Sequence, residues 1–86
     1  MFVIITYDVS AKRNKNLLKL CRRSLSHVQK SVFEGEVTEG QLEKLKTEIK
    51  KVIVPEEDSV AIYKYSYGHK LAKEEIGIYI TRDNII

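Results

Sequence analysis

The sequence has very little of several residue types that define common classes of protein. Its single cysteine, Cys21, excludes a disulfide within the chain and, with two separated histidines, offers no zinc site. One proline, four glycines and no low-complexity tract leave no candidate linker, so residues 1–86 are predicted to form one domain. There is no signal peptide and no apolar run long enough to cross a membrane, which predicts a cytoplasmic protein without a membrane partner.

Acidic residues are missing from a long stretch near the start of the chain. Asp8 ends an apolar strand, and the next carboxylate is Glu34. The interval instead carries cations: Lys12, Arg13, Lys15, Lys19, Arg22, Arg23 and Lys30. Lysine and arginine favour phosphates, and a carboxylate beside them is suited to the hard cation that phosphate chemistry needs. The alternative is an aspartate that caps a turn before a solvated basic helix.

The first two elements follow from hydrophobic periodicity. Residues 2–7 are β-branched and aromatic and predict a strand. A helix is predicted from about residue 11 to 25, with Ser10 as its cap and with Leu17, Leu18, Cys21 and Leu25 on its apolar side. The cations from Lys12 to Arg23 lie mostly on the opposite side. Arg13 lies at the border, close to the end of the strand.

The later elements complete an alternating pattern of strands and helices. Residues 28–37 are extended, as one bent strand or a short hairpin, and Gly35 indicates a bulge or a close backbone approach. Thr38 and Gln41 fit a capping box that opens a second helix, which ends before Pro55. Strands are predicted over 59–65 and 76–80. We therefore expect a sheet with two helices packed on it.

The apolar character of both sides of the first strand predicts a homodimer. Alternating side chains point to opposite faces, and two helices can cover only one of them. In a chain this small, a second copy of the same chain is the simplest cover for the other face, and a two-fold axis would bring two copies of Asp8 together. Two carboxylates, with waters and substrate phosphates, can hold Mg²⁺ or Mn²⁺. The alternative is a one-sided sheet with some apolar exposure.

Three segments together resemble the CRISPR-associated protein 2 family. They are Tyr-Asp-Val-Ser at residues 7–10, Val-Gln-Lys-Ser-Val-Phe-Glu-Gly-Glu at 28–36, and Asp-Ser-Val at 58–60. The Tyr-Asp pair alone is weak, but its combination with the Ser-Val-Phe-Glu-Gly core is specific. The resemblance covers nearly the whole chain, in order and with matching spacing.

The resemblance implies an α+β, ferredoxin-like fold with two helices on one face of an antiparallel sheet, and a homodimer. The C-terminal strand would extend the partner's sheet, which places Ile78 and Ile80 at the interface together with Phe33. Tyr63 and Tyr65 alternate on one face of their strand, and we expect them to pack on the partner; the alternative is that they stack on bases. It also implies a metal-dependent endonuclease acting on RNA or DNA, with Asp8 as metal ligand and Arg13 as a second catalytic residue. Because Arg13 is predicted to lie nearest Asp8, we expect it to steady a phosphate at the metal. Where some relatives carry arginine before the second strand, this chain has His27.

The same resemblance implies a second role. Members of the family form the central dimer of a complex with the CRISPR-associated protein 1 integrase and bind the DNA captured in spacer acquisition. In that role the chain would be a non-catalytic scaffold. The nucleic-acid-binding residues expected in either role are Lys12, Arg13, Lys15, Lys19, Arg22 and Arg23, whose contacts with phosphate would be independent of sequence.

Overall fold

The computed structural model describes residues 1–66 and 71–77 of the chain. Within these residues the elements follow in the order β1 (Phe2–Asp8), α1 (Ala11–Arg22), β2 (Ser26–Gln29), β3 (Val32–Glu36), α2 (Glu39–Val52), β4 (Ser59–Tyr65) and β5 (Leu71–Gly77). Neither helix in this part of the chain is long and apolar enough to cross a membrane.

The strands of the described part form one antiparallel sheet in the spatial order β2-β3-β1-β4-β5. The first four strands with their two crossover helices have the connectivity of a ferredoxin-like fold, and β5 extends the sheet beyond β4. Both helices pack their apolar residues on the same face of the sheet. The predicted α+β, ferredoxin-like class is therefore confirmed.

The central strand β1 separates a covered face from an open face. Toward the helices it buries Val3, Ile5 and Tyr7. The alternate residues are only half-buried, and they are Phe2, Ile4 and Thr6. The sequence pattern that predicted an uncovered apolar face is thus present in the structure, while the homodimer itself stays a prediction.

Helix α1 is shorter than predicted and its apolar side is rotated. It ends at Arg22, and Leu20 is buried with Leu17 and Cys21, whereas Leu18 is only partly buried at the edge of the core. The predicted cap at Ser10 is wrong as regards the side chain, which makes no capping hydrogen bond. Its backbone N–H instead donates to Asp58 Oδ1 at 3.0 Å. A tertiary contact therefore replaces the local cap.

The capping box at the start of α2 is confirmed. The Thr38 hydroxyl accepts from the Gln41 N–H at 3.1 Å, and the Gln41 side chain accepts from the Thr38 N–H at 2.8 Å. Two backbone donors that the helix itself leaves unpaired are satisfied in this way.

Residues 26–36 form a hairpin, which decides between the two predicted conformations. Lys30 and Ser31 lie between β2 and β3, and Lys30 has a positive φ of 26°. The irregularity in strand pairing lies between His27 and Gln29, in β2. Gly35 is instead a site of close approach, because a Cβ there would lie 3.1 Å from Cδ2 of Leu25.

The final described strand differs from the sequence prediction. β5 begins at Leu71, five residues before the predicted start at Ile76, and it pairs with β4 of the same chain. The pairing is pinned on the helix side by Glu74, which accepts from Lys64 Nζ at 2.5 Å and from Lys46 Nζ at 2.6 Å. These contacts hold the pKa of Glu74 below its ordinary value. The prediction that residues 76–80 join the partner's sheet is wrong for Ile76 and Gly77, which pair with Val60 and Ser59 of the same chain. Residues 78–80 lie outside the described residues.

Candidate active site

Asp8 occupies an exposed position at the end of β1. Antiparallel pairing places it opposite Ser59, the first residue of β4. Its side chain borders two cavities, one on the open face of the sheet and one beside the turn between β2 and β3. The position predicted from the sequence, a carboxylate at a strand end, is thus accessible from two directions.

The first cavity, here called the open-face cavity, has a volume of about 310 Å³. Its walls are formed by Thr6, Tyr7, Asp8, Ser59, Ala61, Tyr63 and Lys73. Lys73 lies 5.3 Å from the centroid of the Tyr63 ring and pairs with Glu75 at 3.0 Å. Asp8 is the carboxylate that lines this cavity.

The residues that line the open-face cavity provide only some of the ligands that a hard divalent cation needs. Among residues 1–66 and 71–77, no group of three or more histidine, cysteine, aspartate or glutamate side chains is placed to hold a metal ion. A single carboxylate and a serine hydroxyl are a weak set for Mg²⁺, which accepts waters and substrate oxygens as further ligands. The described residues therefore supply one carboxylate ligand, and a complete Mg²⁺ site would need further ligands from outside this chain.

The second cavity, here called the outer notch, has a volume of about 340 Å³. It is lined by Tyr7, Asp8, Val9, Asn14, Lys30 and Ser31. Asn14 belongs to the first turns of α1, and Lys30 and Ser31 belong to the turn between β2 and β3. The outer notch therefore brings a cation and two neutral polar side chains next to Asp8.

The structure directs Arg13 away from both cavities. Its Nε donates to Asp58 Oδ2 at 2.6 Å, and its terminal NH₂ group donates to Asp58 Oδ1 at 3.1 Å and to Glu57 Oε1 at 2.7 Å. These bonds raise the pKa of the guanidinium further above its ordinary value. The expectation that Arg13 steadies a phosphate beside Asp8 has no geometric support, because its guanidinium group already binds the carboxylates of Asp58 and Glu57.

Asp58 is a buried partner of Arg13 that was not predicted from the sequence. Its side chain has no exposed surface, and besides Arg13 it accepts from the N–H groups of Ser10 and Val54 at 3.0 and 2.9 Å. The hydrogen bonds with Arg13 are the largest cause of a pKa lowered from 3.8 to about 2. Desolvation acts in the opposite direction and is outweighed. The only sequence signal for this role is that Asp58 directly precedes a buried strand. That signal was used above only as part of the family resemblance.

The cations of α1 other than Arg13 are exposed, as expected. They are Lys12, Lys15, Lys19, Arg22 and Arg23, here called the basic face. A cavity of about 310 Å³ between the helices is lined by Lys19 of α1, by Arg23 directly after it, and by Lys51 and Glu48 of α2. Lys51 of α2, which was not among the predicted nucleic-acid-binding residues, therefore lies next to the basic face.

The predicted interface residues fall into three groups. Phe33 is wrong as an interface residue, because it pairs with Ile5, is fully buried and packs under the helices. Tyr63 and Tyr65 pair with Ile4 and Phe2 and so lie on the open face, and Tyr65 is 53% exposed. Their role in a dimer stays a prediction. Ile78 and Ile80 lie outside the described residues.

The Tyr7 side chain is a packing residue rather than a hydroxyl donor to the site. Its ring stacks on Phe33 with centroids 6.2 Å apart, and its buried hydroxyl has no hydrogen-bond partner among the described residues. Burial raises the Tyr7 pKa, and the neighbouring Cys21 adds to that effect. Burial likewise raises the pKa of the Cys21 thiol to about 12. Both groups are therefore neutral components of the core at physiological pH.

Comparison with known proteins assigns the chain and its fold to a family. The profile described as CRISPR associated protein Cas2 matches residues 1–71. The protein named CRISPR-associated endoribonuclease Cas2 from Thermotoga maritima is 41% identical over 86 residues, covering 100% of this chain and 99% of its own. A protein with the same name from Methanocaldococcus jannaschii is 41% identical over 78 residues, covering 91% of this chain and 68% of its own.

Solved structures agree with the sequence comparison. The crystal structure of Streptococcus pyogenes Cas2 at pH 6.5 is 32% identical, with a TM-score of 0.72 over 79% of this chain and 89% of that one. Another structure, described as the crystal structure of cas2, is 44% identical, with a TM-score of 0.69 over 73% of this chain and 71% of that one. The predicted resemblance is thereby confirmed, and the chain belongs to the Cas2 family of CRISPR-associated proteins.

Proposed function

We propose that this chain forms a homodimeric, divalent-metal-dependent endonuclease that cleaves RNA, with Asp8 of each copy as a ligand of Mg²⁺ or Mn²⁺. The observation that carries the proposal is the exposed Asp8 at the edge of an uncovered apolar sheet face. The relatives' name, endoribonuclease, supports RNA as the substrate. Membership of the family supports a role in CRISPR spacer acquisition and antiviral defence.

The uncovered face explains why one carboxylate per chain is sufficient. A second copy packed on Phe2, Ile4 and Tyr63 would cover the half-buried apolar residues of the open face, at whose end Asp8 lies. A metal ion bound there would activate a water molecule and neutralise charge on the phosphodiester. Asp8 would hold and orient the ion, Ser59 would offer a neighbouring hydroxyl, and the apolar face would restrict the access of bulk water.

The direct test compares nucleic acids and metals. Single-stranded RNA and DNA of the same sequence are incubated with the protein in Mg²⁺, in Mn²⁺ and in excess chelator. We expect RNA cleavage with either metal and none with chelator. DNA cleavage alone would change the substrate class, and undiminished cleavage in chelator would contradict the metal-dependent mechanism.

A second function is favoured by the exposed basic face of α1. As a non-catalytic dimeric scaffold, the protein would bind duplex DNA through this face and associate with the CRISPR-associated protein 1 integrase. The basic face carries five cations and no aromatic side chain, so it can contact phosphates but has little means of reading bases. The two functions are compatible, because one depends on Asp8 at the end of β1 and the other on the cations of α1.

Binding to DNA is expected to depend steeply on salt and little on sequence. Replacing Arg22 and Arg23 with alanine should reduce the slope of log affinity against log salt concentration by roughly one unit for each phosphate that the protein no longer neutralises. Fluorescence anisotropy with two unrelated duplexes over a range of salt concentrations measures both effects. Lys50→Ala is the control, because Lys50 is an exposed cation of α2 outside the basic face. Equal slopes for all three proteins would exclude the two arginines as phosphate ligands.

A further inference from the structure

We propose that Lys30 binds the phosphate of the substrate strand next to Asp8, so that the outer notch is the phosphate subsite of the nuclease. The inference rests on the proposed function and identifies the cation that its chemistry requires. It replaces Arg13, which the sequence analysis had assigned to that task.

The first observation is that Lys30, and not Arg13, is the cation that lines a cavity beside Asp8. Arg13 lines neither cavity and binds Asp58 and Glu57. Lys30 lines the outer notch, is exposed, and makes no side-chain ion pair with any residue in 1–66 or 71–77. An unpaired lysine next to a metal-ligating carboxylate is placed to neutralise a phosphate oxygen.

The second observation is the backbone of the turn that carries Lys30. A two-residue hairpin loop with positive φ at its first position usually contains glycine or asparagine. Here a lysine adopts φ 26°. Its carbonyl oxygen accepts a hydrogen bond from His27 Nε2 at 2.7 Å, and the His27 ring stacks on buried Phe33 with centroids 4.6 Å apart. These contacts fix the turn against the core. The position with positive φ is held by Lys30, which is less favourable there than glycine. Such strain is commonly kept where the side chain has a function.

The third observation is the composition of the notch. The Asn14 amide and the Ser31 hydroxyl lie on the same walls as Lys30 and can donate to phosphate or ribose oxygens. The volume of about 340 Å³ is within the range of small-ligand sites. A cation, an amide and a hydroxyl beside a carboxylate are the groups that a metal-bound phosphodiester would contact.

The placement of the two cavities decides which one admits the substrate. The open-face cavity lies on the side where the second copy is proposed to pack, whereas the turn and the start of α1 border the outer notch. A strand of RNA would therefore reach Asp8 through the outer notch. Its phosphate would meet Lys30 on one side and the metal held by Asp8 on the other.

The decisive variant is Lys30→Gly, because a structural role and a binding role predict opposite results. Glycine favours positive φ, so the melting temperature should stay equal or rise. The single-turnover cleavage rate at saturating RNA should nevertheless fall by at least about tenfold, the effect of removing one electrostatic interaction with the transition state. Lys50→Ala, which removes an exposed cation that lines neither cavity, should leave the rate within about twofold of wild type. A Lys30→Gly rate equal to wild type would overturn the inference while leaving the nuclease function intact.

A measurement without catalysis separates failure of the subsite from failure of the proposed function. The dinucleotide UpU, titrated without metal into ¹⁵N-labelled protein, should shift the amide signals of Asn14 and Ser31. Lys30→Gly should remove those shifts. Shifts confined to the basic face, or none in the wild type, would overturn the inference. Shifts in the notch from a protein that cleaves no RNA would retain the subsite and reject the nuclease.

Discussion

Asp8→Asn is expected to reduce metal-dependent RNA cleavage by at least about 100-fold. Metal-ion stabilisation of transition-state charge is worth several kcal/mol, and each 1.4 kcal/mol corresponds to a factor of about ten in rate. The substitution keeps the shape of the side chain and removes the charge that binds the ion. Asp8 is exposed and forms no described ion pair, so the fold should be unchanged. Cleavage kinetics and thermal denaturation of the two proteins measure the two effects.

Mixed dimers test whether the site is shared between copies. Wild type and Asp8→Asn are unfolded together, refolded in equal amounts and assayed at a fixed total concentration. If two Asp8 side chains form one site on a two-fold axis, only wild-type homodimers are active, and the rate falls to about one quarter. If each chain acts alone, the rate falls to about one half. Without metal the Asp8→Asn dimer should also dissociate less, because two facing carboxylates repel each other. A monomer in sedimentation at micromolar concentration would contradict the shared site.

The architecture could be predicted from the sequence where one local signal dominated. The alternation of strands and helices, the capping box of Thr38 and the strand over 59–65 each follow from periodicity or turn chemistry, and each is present in the structure. The predictions that were wrong depended on tertiary contacts. Ser10 has the composition of a cap, but its N–H binds Asp58, which is 48 residues away in sequence.

The candidate site could be predicted only where a local sequence signal marked the residue. Asp8 was recognisable because an apolar strand runs directly into it, and the structure leaves it exposed. The environment of Arg13 was not recognisable, since its partners belong to the loop before β4 and nothing in the local sequence marks the pairing. Phe33 was misassigned because its face of β3 depends on the register with β1, which composition does not reveal. Lys30 gains its importance only when the hairpin places it beside Asp8.

Asp58→Asn is expected to cost about 3 kcal/mol in the free energy of unfolding, the effect of removing one charge of a buried pair. Each carboxylate oxygen of Asp58 accepts one backbone N–H and one guanidinium N–H. An asparagine amide nitrogen would face two donors in either orientation, so no rotation of the side chain restores the bonds. The start of α1 and the loop before β4 would then lose their common anchor. Urea denaturation of the wild type and the variant measures the difference.

The matched control is Glu57→Gln, because Glu57 also pairs with Arg13 but is exposed. Its contact with Arg13 is 2.7 Å, and its side chain is 61% exposed. Water and salt screen such a pair, so the expected loss in the free energy of unfolding is below about 1 kcal/mol. Equal destabilisation by the two substitutions would show that burial of Asp58 is not what makes its pairing with Arg13 important.

The dependence of stability on pH gives an independent test of the same network. The Asp58 pKa is lowered from 3.8 to about 2 on folding, so the unfolded chain binds the proton more readily than the folded one. The contribution of Asp58 is therefore fully present above about pH 4 and is lost as the pH falls toward 2. In Asp58→Asn this part of the acid profile should be missing, and the stability difference from wild type should shrink as the pH falls from 5 to 2. A difference that stays constant over that range would mean that folding leaves the pKa of Asp58 unchanged, which would contradict the ionic network described for this residue.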